Sequence, residues 1–227
     1  RRISDVGAEN SLRKCFLHDM RMISRVRHPC ITTVIGAVTA GRSGSSLVLE
    51  YMEYGSLYDL LRNNTVRLET EIMLDLLQDI TSGIIFLHNS NPVICHKDLK
   101  SQNVLIDENF RAKITDFGLS QKEKLGQLSF AWLAPEVING GDFTVQNDSY
   151  AFGILLSEIY SRKDPYEGED ISTVLREVAD LGREVDKRPS LPPNVPGEIL
   201  GLIKDCWHKQ PEYRPLFPEI SRRLKAL

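Results

Sequence analysis

Residues 148–160 form the segment that most restricts how this chain can fold. Tyr150, Phe152, Ile154 and Ile159 leave no wide polar face on the helix that this segment is predicted to form. A helix that is hydrophobic all round lies inside a protein core, because a surface helix keeps a polar face toward water. The chain must therefore supply other elements on every side of this segment.

The surrounding segments are predicted to be a few strands followed by a mostly helical body. Apolar residues recur at helical spacing in residues 12–26 and along one face of residues 69–88. Short runs rich in β-forming residues, separated by polar turns, predict two hairpins. The hairpins join 31–38 to 47–51 and 104–106 to 112–115, and a short helix covers 57–62. This order of elements indicates an α+β fold.

Composition argues against several classes of protein. The 227 residues are 41% hydrophobic and 26% charged with a net charge of −3, which favours neither a nucleic-acid partner nor a membrane surface. No apolar run reaches membrane-spanning length. The sequence leaves open whether the parent protein carries a membrane anchor outside this segment. The four cysteines form no Cys-x-x-Cys pair, so we expect free thiols in a reducing compartment, the cytoplasm. The sequence leaves the oligomeric state open.

A polar stretch beside the second hairpin carries the groups that a metal-bound polyphosphate requires. Asp98, Lys100 and Asn103 lie close together, and Asp116 follows the hairpin. Phosphoryl transfer needs a base near the attacking hydroxyl, hard oxygen ligands for Mg²⁺ and positive charge beside the phosphate. Antiparallel pairing is predicted to bring Asn103 and Asp116 to one edge of the hairpin. In isolation, the favoured interpretation would be that Asp98 is a turn residue and that Asn103 caps a loop.

These residues belong to an ordered set of motifs that resembles a eukaryotic protein kinase domain. The set comprises His96-Lys97-Asp98 with Asn103, then Asp116-Phe117-Gly118, then Ala134-Pro135-Glu136. The finer resemblance, in residues 98–103 and 131–136, is to the tyrosine-kinase-like group of serine/threonine kinases, the Raf-like and mixed-lineage-like enzymes. It implies a two-lobed fold with a partial small β-lobe over residues 1–51 and a complete, mostly helical large lobe over residues 52–227.

The resemblance implies a role for each polar residue of an ATP site. Asp98 is expected to accept the proton of the substrate hydroxyl, and Lys100 to neutralise the transferring γ-phosphoryl group. Asn103 and Asp116 are expected to hold Mg²⁺. ATP and Mg²⁺ are therefore the expected cosubstrate and cofactor, and proteins with serine or threonine hydroxyls the expected partners.

The adenine base is expected to lie against a hinge at residues 50–52. Backbone N–H and C=O groups of this hinge, from Glu50 to Met52, would pair with the edge of the base. Leu49 would stand at the gatekeeper position, and Leu105 would lie beneath the ring. Both leucines are equally good core residues.

Further residues are expected to have structural or regulatory roles. Glu136 is expected to pair with Arg214, and Asp148 to anchor the backbone of the catalytic loop. The family's regulatory spine would pass through Ile23, Val34, His96 and Phe117, although a plain hydrophobic core predicts the same contacts. Asp19 would replace the glutamate that pairs with the family's strand lysine, or be a helix-edge carboxylate near water. Ser120 and Ser129 are the candidate activation-loop phosphorylation sites.

Two features of the family are missing before the first predicted helix. A glycine-rich loop and a strand lysine should precede it, yet Gly7 is the single glycine before Leu12 and no Val-Ala-x-Lys-like run occurs. We therefore expect a chain cut after the third strand of the small lobe, with little or no activity by itself. Lys97 replaces an arginine of the family and lacks its bidentate geometry, which predicts weaker control by loop phosphorylation.

The favoured function is a serine/threonine protein kinase. Lys100 and Ser129 favour serine and threonine over tyrosine as acceptors. The alternative is a pseudokinase or scaffold that retains the fold for binding. The intact Asp98, Asn103 and Asp116 argue against that alternative, and the missing amino-terminal elements argue for it.

Overall fold

The computed structural model describes residues 23, 26–38, 46–117, 130–182 and 184–227. Most of the helix predicted over residues 12–26 lies outside these ranges, as does most of the connection between the first two predicted strands. Asp19, Ser120 and Ser129 also lie outside the described residues, so the expectations for them stay predictions.

Within the described ranges the chain forms two β-hairpins and a helical body. Strands β1 (Val34–Val38) and β2 (Ser46–Leu49) pair antiparallel, as do β3 (Val104–Ile106) and β4 (Ala112–Ile114). The helices are α1 (Leu57–Arg62), α2 (Thr70–His88), α3 (Pro135–Ile138), α4 (Val145–Ser161), α5 (Ile171–Ala179), α6 (Gly197–Cys206) and α7 (Phe217–Leu224). The predicted α+β class is confirmed. No helix among these residues is long and apolar enough to cross a lipid bilayer.

Helix α4 runs through the core, as its sequence predicts. Every residue from Asn147 to Ile159 is buried, and the ring of Phe152 packs edge-on against Phe217 of α7 at 5.4 Å. The helix begins three residues earlier than predicted, because Thr144 and Asn147 form a capping box at its amino terminus. These short polar residues interrupt the apolar pattern on which the sequence prediction depended.

Helix α2 buries the face that was predicted. Leu77, Ile80, Ile84 and Leu87 have no exposed surface, and the helix packs against β4 and α7. At the contact with β4, Gly83 allows an approach that a side chain would prevent. A Cβ atom on Gly83 would lie 2.5 Å from the Ile114 side chain.

The β3–β4 hairpin is extended on both edges by segments outside the named strands. Residues 30–32 hydrogen-bond to Ile114 along one edge, and residues 54–55 hydrogen-bond to Ile106 along the other, with N···O distances between 2.9 and 3.1 Å. The strand predicted over residues 31–38 is therefore wrong at its start, because its first residues pair with β4 instead. Strand β2 ends two residues before its predicted end, where the chain turns toward β3.

Replacement of Gly83 by alanine is expected to destabilise the protein, although alanine is the better helix former. The new Cβ would lie 2.8 Å from the Cys30 carbonyl oxygen as well as against Ile114, and overpacking of this kind costs about 1–3 kcal/mol. Gly201→Ala in α6 is the matched control, since its Cβ finds its nearest neighbour at 3.6 Å and adds up to about 1 kcal/mol of helix propensity. Equal changes in the free energy of urea unfolding would contradict this packing.

Candidate functional site

The loop between α2 and β3 is held by a buried carboxylate of α4. Asp148 accepts hydrogen bonds from the backbone N–H groups of His96 at 2.8 Å and Lys97 at 2.9 Å. The predicted anchoring of this loop is therefore present. His88, at the end of α2, adds a contact that the sequence did not indicate: its Nε2 lies 2.7 Å from Asp148 Oδ2.

Two residues of this region, Lys97 and Asp116, have left-handed backbone conformations. Their φ angles are 71° and 59°, values that residues with side chains rarely adopt. Such conformations persist only where surrounding contacts impose them, and they are common at functional sites. The hydrogen bond from the Lys97 N–H to Asp148 is one such contact.

Asp98 lies at the centre of a small polar cluster. The amide Nδ2 of Asn103 donates to the Asp98 carbonyl oxygen at 2.7 Å and to Asp98 Oδ2 at 2.9 Å. The ammonium nitrogen of Lys100 lies 3.3 Å from the same Oδ2, and both charged side chains are largely buried. The structure therefore brings together three of the residues that the sequence grouped by spacing alone.

Asn103 and Asp116 lie at the same edge of the β3–β4 hairpin, as predicted. The backbone N–H of Thr115 donates to the Asn103 carbonyl oxygen at 3.0 Å. Because Asn103 Nδ2 is bound to Asp98, its Oδ1 is turned away from that carboxylate. A carboxamide oxygen and the nearby Asp116 carboxylate are hard oxygen donors, which fit Mg²⁺. Among the described residues, no group of three or more His, Cys, Asp or Glu side chains is placed to hold a metal ion.

The residues predicted for the regulatory spine are buried. Ile23, Val34, His96 and Phe117 have at most 7% of their surface exposed. Ile23, Val34 and Phe117 also border one small cavity with Leu49. Burial of all four residues is what both a spine and an ordinary hydrophobic core require.

The predicted hinge begins at a residue with three fixed contacts. The Glu50 backbone N–H donates to the Thr33 carbonyl oxygen at 3.0 Å. Glu50 Oε1 accepts from the Thr33 N–H at 2.6 Å, and Oε2 accepts from Lys113 Nζ at 2.7 Å. Because the Glu50 N–H is already hydrogen-bonded to Thr33, the carbonyl oxygen is the backbone group of this residue that can bind a ligand.

Two buried acids hold parts of the loop and the hairpin that form the site. Neither was identified from the sequence. Asp79 of α2 accepts hydrogen bonds from the Arg111 guanidinium and from the Ala112 N–H at the start of β4. Glu158 of α4 accepts from Ser101 Oγ at 2.5 Å. Each is an acid inside an apolar helix face, which is the sequence signal that could have identified it.

Glu158 also binds the guanidinium of Arg62, the last residue of α1, at 2.9 Å. Burial raises the pKa of Glu158, and the contacts with Ser101 and Arg62 oppose that rise. The acid thus connects α1, the loop after Asp98 and α4 through one carboxylate oxygen.

Glu136 and Arg214 form the ion pair that was predicted. Arg214 donates to both carboxylate oxygens at 2.6 and 2.8 Å. Its guanidinium also donates to the backbone carbonyls of His208, Gln146 and Lys209. Since the Arg214 side chain is fully buried, this pair is part of the framework of the helical body.

An open cavity of about 670 Å³ lies beside Lys97, the neighbour of Asp98. Its walls are mostly apolar and come from Phe130, Leu133, Phe143 and Leu175 among others. The Lys97 ammonium lies 5.9 Å from the centre of the Phe143 ring. An apolar recess therefore adjoins the residue that precedes Asp98 in the chain.

Comparison with known proteins gives a consistent result. The profile of the family described as protein tyrosine and serine/threonine kinase matches residues 3–224. The chain is 36% identical over 224 residues to the probable serine/threonine-protein kinase drkA of Dictyostelium discoideum, covering 96% of this chain and 34% of that protein. It is 35% identical over 221 residues to the serine/threonine-protein kinase CTR1 of Arabidopsis thaliana, covering 93% and 26%.

A further relative carries a different name. The chain is 38% identical over 219 residues to the dual specificity protein kinase shkC of Dictyostelium discoideum, covering 92% of this chain and 42% of that protein. The chain thus spans well under half the length of each of these relatives.

The Asp148→Asn variant is expected to loosen the loop that carries Asp98. Asparagine has one acceptor oxygen, so its NH₂ group would face one of the two backbone N–H groups of His96 and Lys97. We expect a loss of about 1–3 kcal/mol in the free energy of unfolding and faster hydrogen exchange at these two amides. The exposed Asp142→Asn is the control, and unchanged exchange at both amides would contradict the anchoring role.

Proposed function

Because the chain belongs to the protein tyrosine and serine/threonine kinase family, we propose that it transfers the γ-phosphoryl group of ATP to serine and threonine hydroxyls of proteins. Its fold is the two-lobed kinase fold with a short small β-lobe, and we place the boundary between the lobes at residues 51 and 52. The observation that carries the proposal is the cluster of Lys100 and Asn103 on Asp98, on a loop fixed by Asp148.

Asp98 is the proposed base for the acceptor hydroxyl. Its Oδ2 is oriented by Asn103, and its backbone is held close to the two N–H groups bound to Asp148. Lys100, 3.3 Å from the same oxygen, would neutralise charge on the transferring phosphoryl group as the proton moves to Asp98. This reaction requires a fixed base and a fixed cation from the protein, because the protein contributes mainly positioning and charge stabilisation and little covalent chemistry.

Mg²⁺ is the proposed cofactor, held by Asn103 Oδ1 and the Asp116 carboxylate. When bound, such an ion offsets the negative charge of the phosphate oxygens. The Asn103 amide supports this assignment because its nitrogen is bound to Asp98 and its oxygen is not. The left-handed backbone of Asp116 is the kind of strained conformation found at functional sites.

The proposed adenine site uses the backbone of the hinge. The Glu50 carbonyl would accept from the exocyclic amino group of the base, since the Glu50 N–H is bound to Thr33. The Met52 N–H would donate to a ring nitrogen, because the Met52 carbonyl already accepts from Gly55. Leu105 lies on the half-exposed face of β3, where it would contact the ring.

Protein acceptors are favoured by the surroundings of Asp98. The apolar recess beside Lys97 offers room for a polypeptide next to the proposed base. Lys100 and the names of the relatives drkA and CTR1 favour serine and threonine, whereas the name of shkC makes tyrosine a class to test. The free thiols of Cys30, Cys95 and Cys206 support a reducing compartment, the cytoplasm.

The Asp98→Asn variant is expected to lower phosphoryl transfer by about 10²–10⁴-fold, because a positioned general base contributes that much. The assay measures transfer of radiolabelled γ-phosphate from MgATP to peptides that offer only serine and threonine or only tyrosine. The exposed Asp75→Asn controls for loss of a carboxylate elsewhere. We expect the serine/threonine peptides to be labelled, at a low rate for this chain alone.

The outcomes separate the two candidate functions. Equal rates for the wild type and Asp98→Asn would contradict the role of Asp98. Binding of MgATP without transfer to any peptide would favour the pseudokinase alternative. Labelling confined to the tyrosine peptides would overturn the proposed acceptor class.

A further inference from the structure

An ion pair joins the predicted hinge to the strand that leads into Asp116. Lys113 Nζ lies 2.7 Å from Glu50 Oε2 across a sequence separation of 63 residues. The two side chains are only 20% and 26% exposed. The proposed ATP site uses Glu50 only through its backbone, so this pair is not part of the chemistry described above.

The carboxylate of Glu50 is fixed at both oxygens. Oε1 accepts from the Thr33 N–H, while the Glu50 N–H donates back to the Thr33 carbonyl. Burial by itself raises the pKa of Glu50, but the hydrogen bonds from Lys113 and Thr33 outweigh it and hold that pKa below its ordinary value. Glu50 is therefore ionised at neutral pH, and its attraction to Lys113 persists there.

Lys113 also lies beside the proposed floor of the adenine site. In the β3–β4 register Lys113 is directly opposite Leu105, so the two side chains share one face of the hairpin. Their strand neighbours Val104, Ile106, Ala112 and Ile114 point to the other face and are fully buried or nearly so. The lysine thus reaches from the floor of the site to the carboxylate of the first hinge residue.

We propose that Lys113 is a positioning residue for the purine base of ATP and that it acts through Glu50. With its carboxylate held by Lys113 and its N–H by Thr33, Glu50 has a fixed backbone orientation, and its carbonyl presents an acceptor to the base. This inference rests on the proposed function. It predicts a specific property, which is discrimination between a base with an amino group at C6 and one with a carbonyl there.

The test compares MgATP with MgITP, whose base carries a carbonyl at C6. Dissociation constants are measured calorimetrically for the 227-residue chain and for Lys113→Met, which retains length but loses the charge. We expect the wild type to bind ATP more tightly than ITP. In the variant the ratio of the two dissociation constants should be about 5- to 20-fold smaller, because a misplaced acceptor no longer distinguishes the two bases. Lys113→Arg should retain part of the preference.

A surface ion pair provides the matched control. Lys163 Nζ lies 3.6 Å from Glu167 Oε2, and these side chains are 67% and 56% exposed, so Lys163→Met should leave the ATP-to-ITP ratio unchanged. A merely stabilising role for Lys113 would lower the melting temperature of Lys113→Met without changing that ratio.

Each remaining outcome is decisive. If the wild type binds ATP and ITP equally, or if it prefers ATP and Lys113→Met retains that preference in full, the inference is overturned while the proposed function stands. If the wild type binds neither nucleotide, the proposed function fails and the inference fails with it. If Lys113→Met does not fold, Glu50→Gln replaces it, since glutamine still accepts from Thr33 but loses the charge. An unchanged ratio in Glu50→Gln would equally overturn the inference.

Discussion

The carboxylate of Asp148 is the contact on which the geometry of the candidate site depends. It projects from a helix that is buried along nearly its whole length, and it holds two successive backbone amides of the loop that carries Asp98. A buried carboxylate is costly unless its oxygens are satisfied, and here the amides and His88 satisfy it. The same bonds that stabilise the acid fix the loop, so the core and the site are stabilised together.

The β3–β4 hairpin connects the remaining parts of the molecule. Asn103 and Asp116 flank its two strands. One face of the hairpin packs on α2, where the absence of a side chain at Gly83 allows the close approach. On the other face, Lys113 contacts Glu50 of the hinge. Asp79 fixes the first residue of β4 from the interior. A hairpin of two three-residue strands has little stability alone, so these outside contacts determine its position.

Sequence reasoning identified the elements whose signals are local or periodic. The all-apolar segment of α4, the stripe of α2 and the β-forming runs of the second hairpin are signals that each lie within one element. The Glu136–Arg214 pair and the role of Asp148 followed from a resemblance between motifs. By contrast, the pairing of residues 30–32 with β4, the contacts of Asp79 and Glu158, and the Glu50–Lys113 pair join residues far apart in the chain. No local pattern encodes such partners, so only the folded chain reveals them.

The pairing along both edges of β3–β4 also affects how the protein behaves toward other chains. A strand with unpaired N–H and C=O groups is a template for the addition of a foreign strand. Here residues 30–32 cover the edge of β4 and residues 54–55 cover the edge of β3. A foreign strand would first have to displace one of these native segments, so the hairpin that bears Asn103 and Asp116 is shielded from aggregation by its own neighbours.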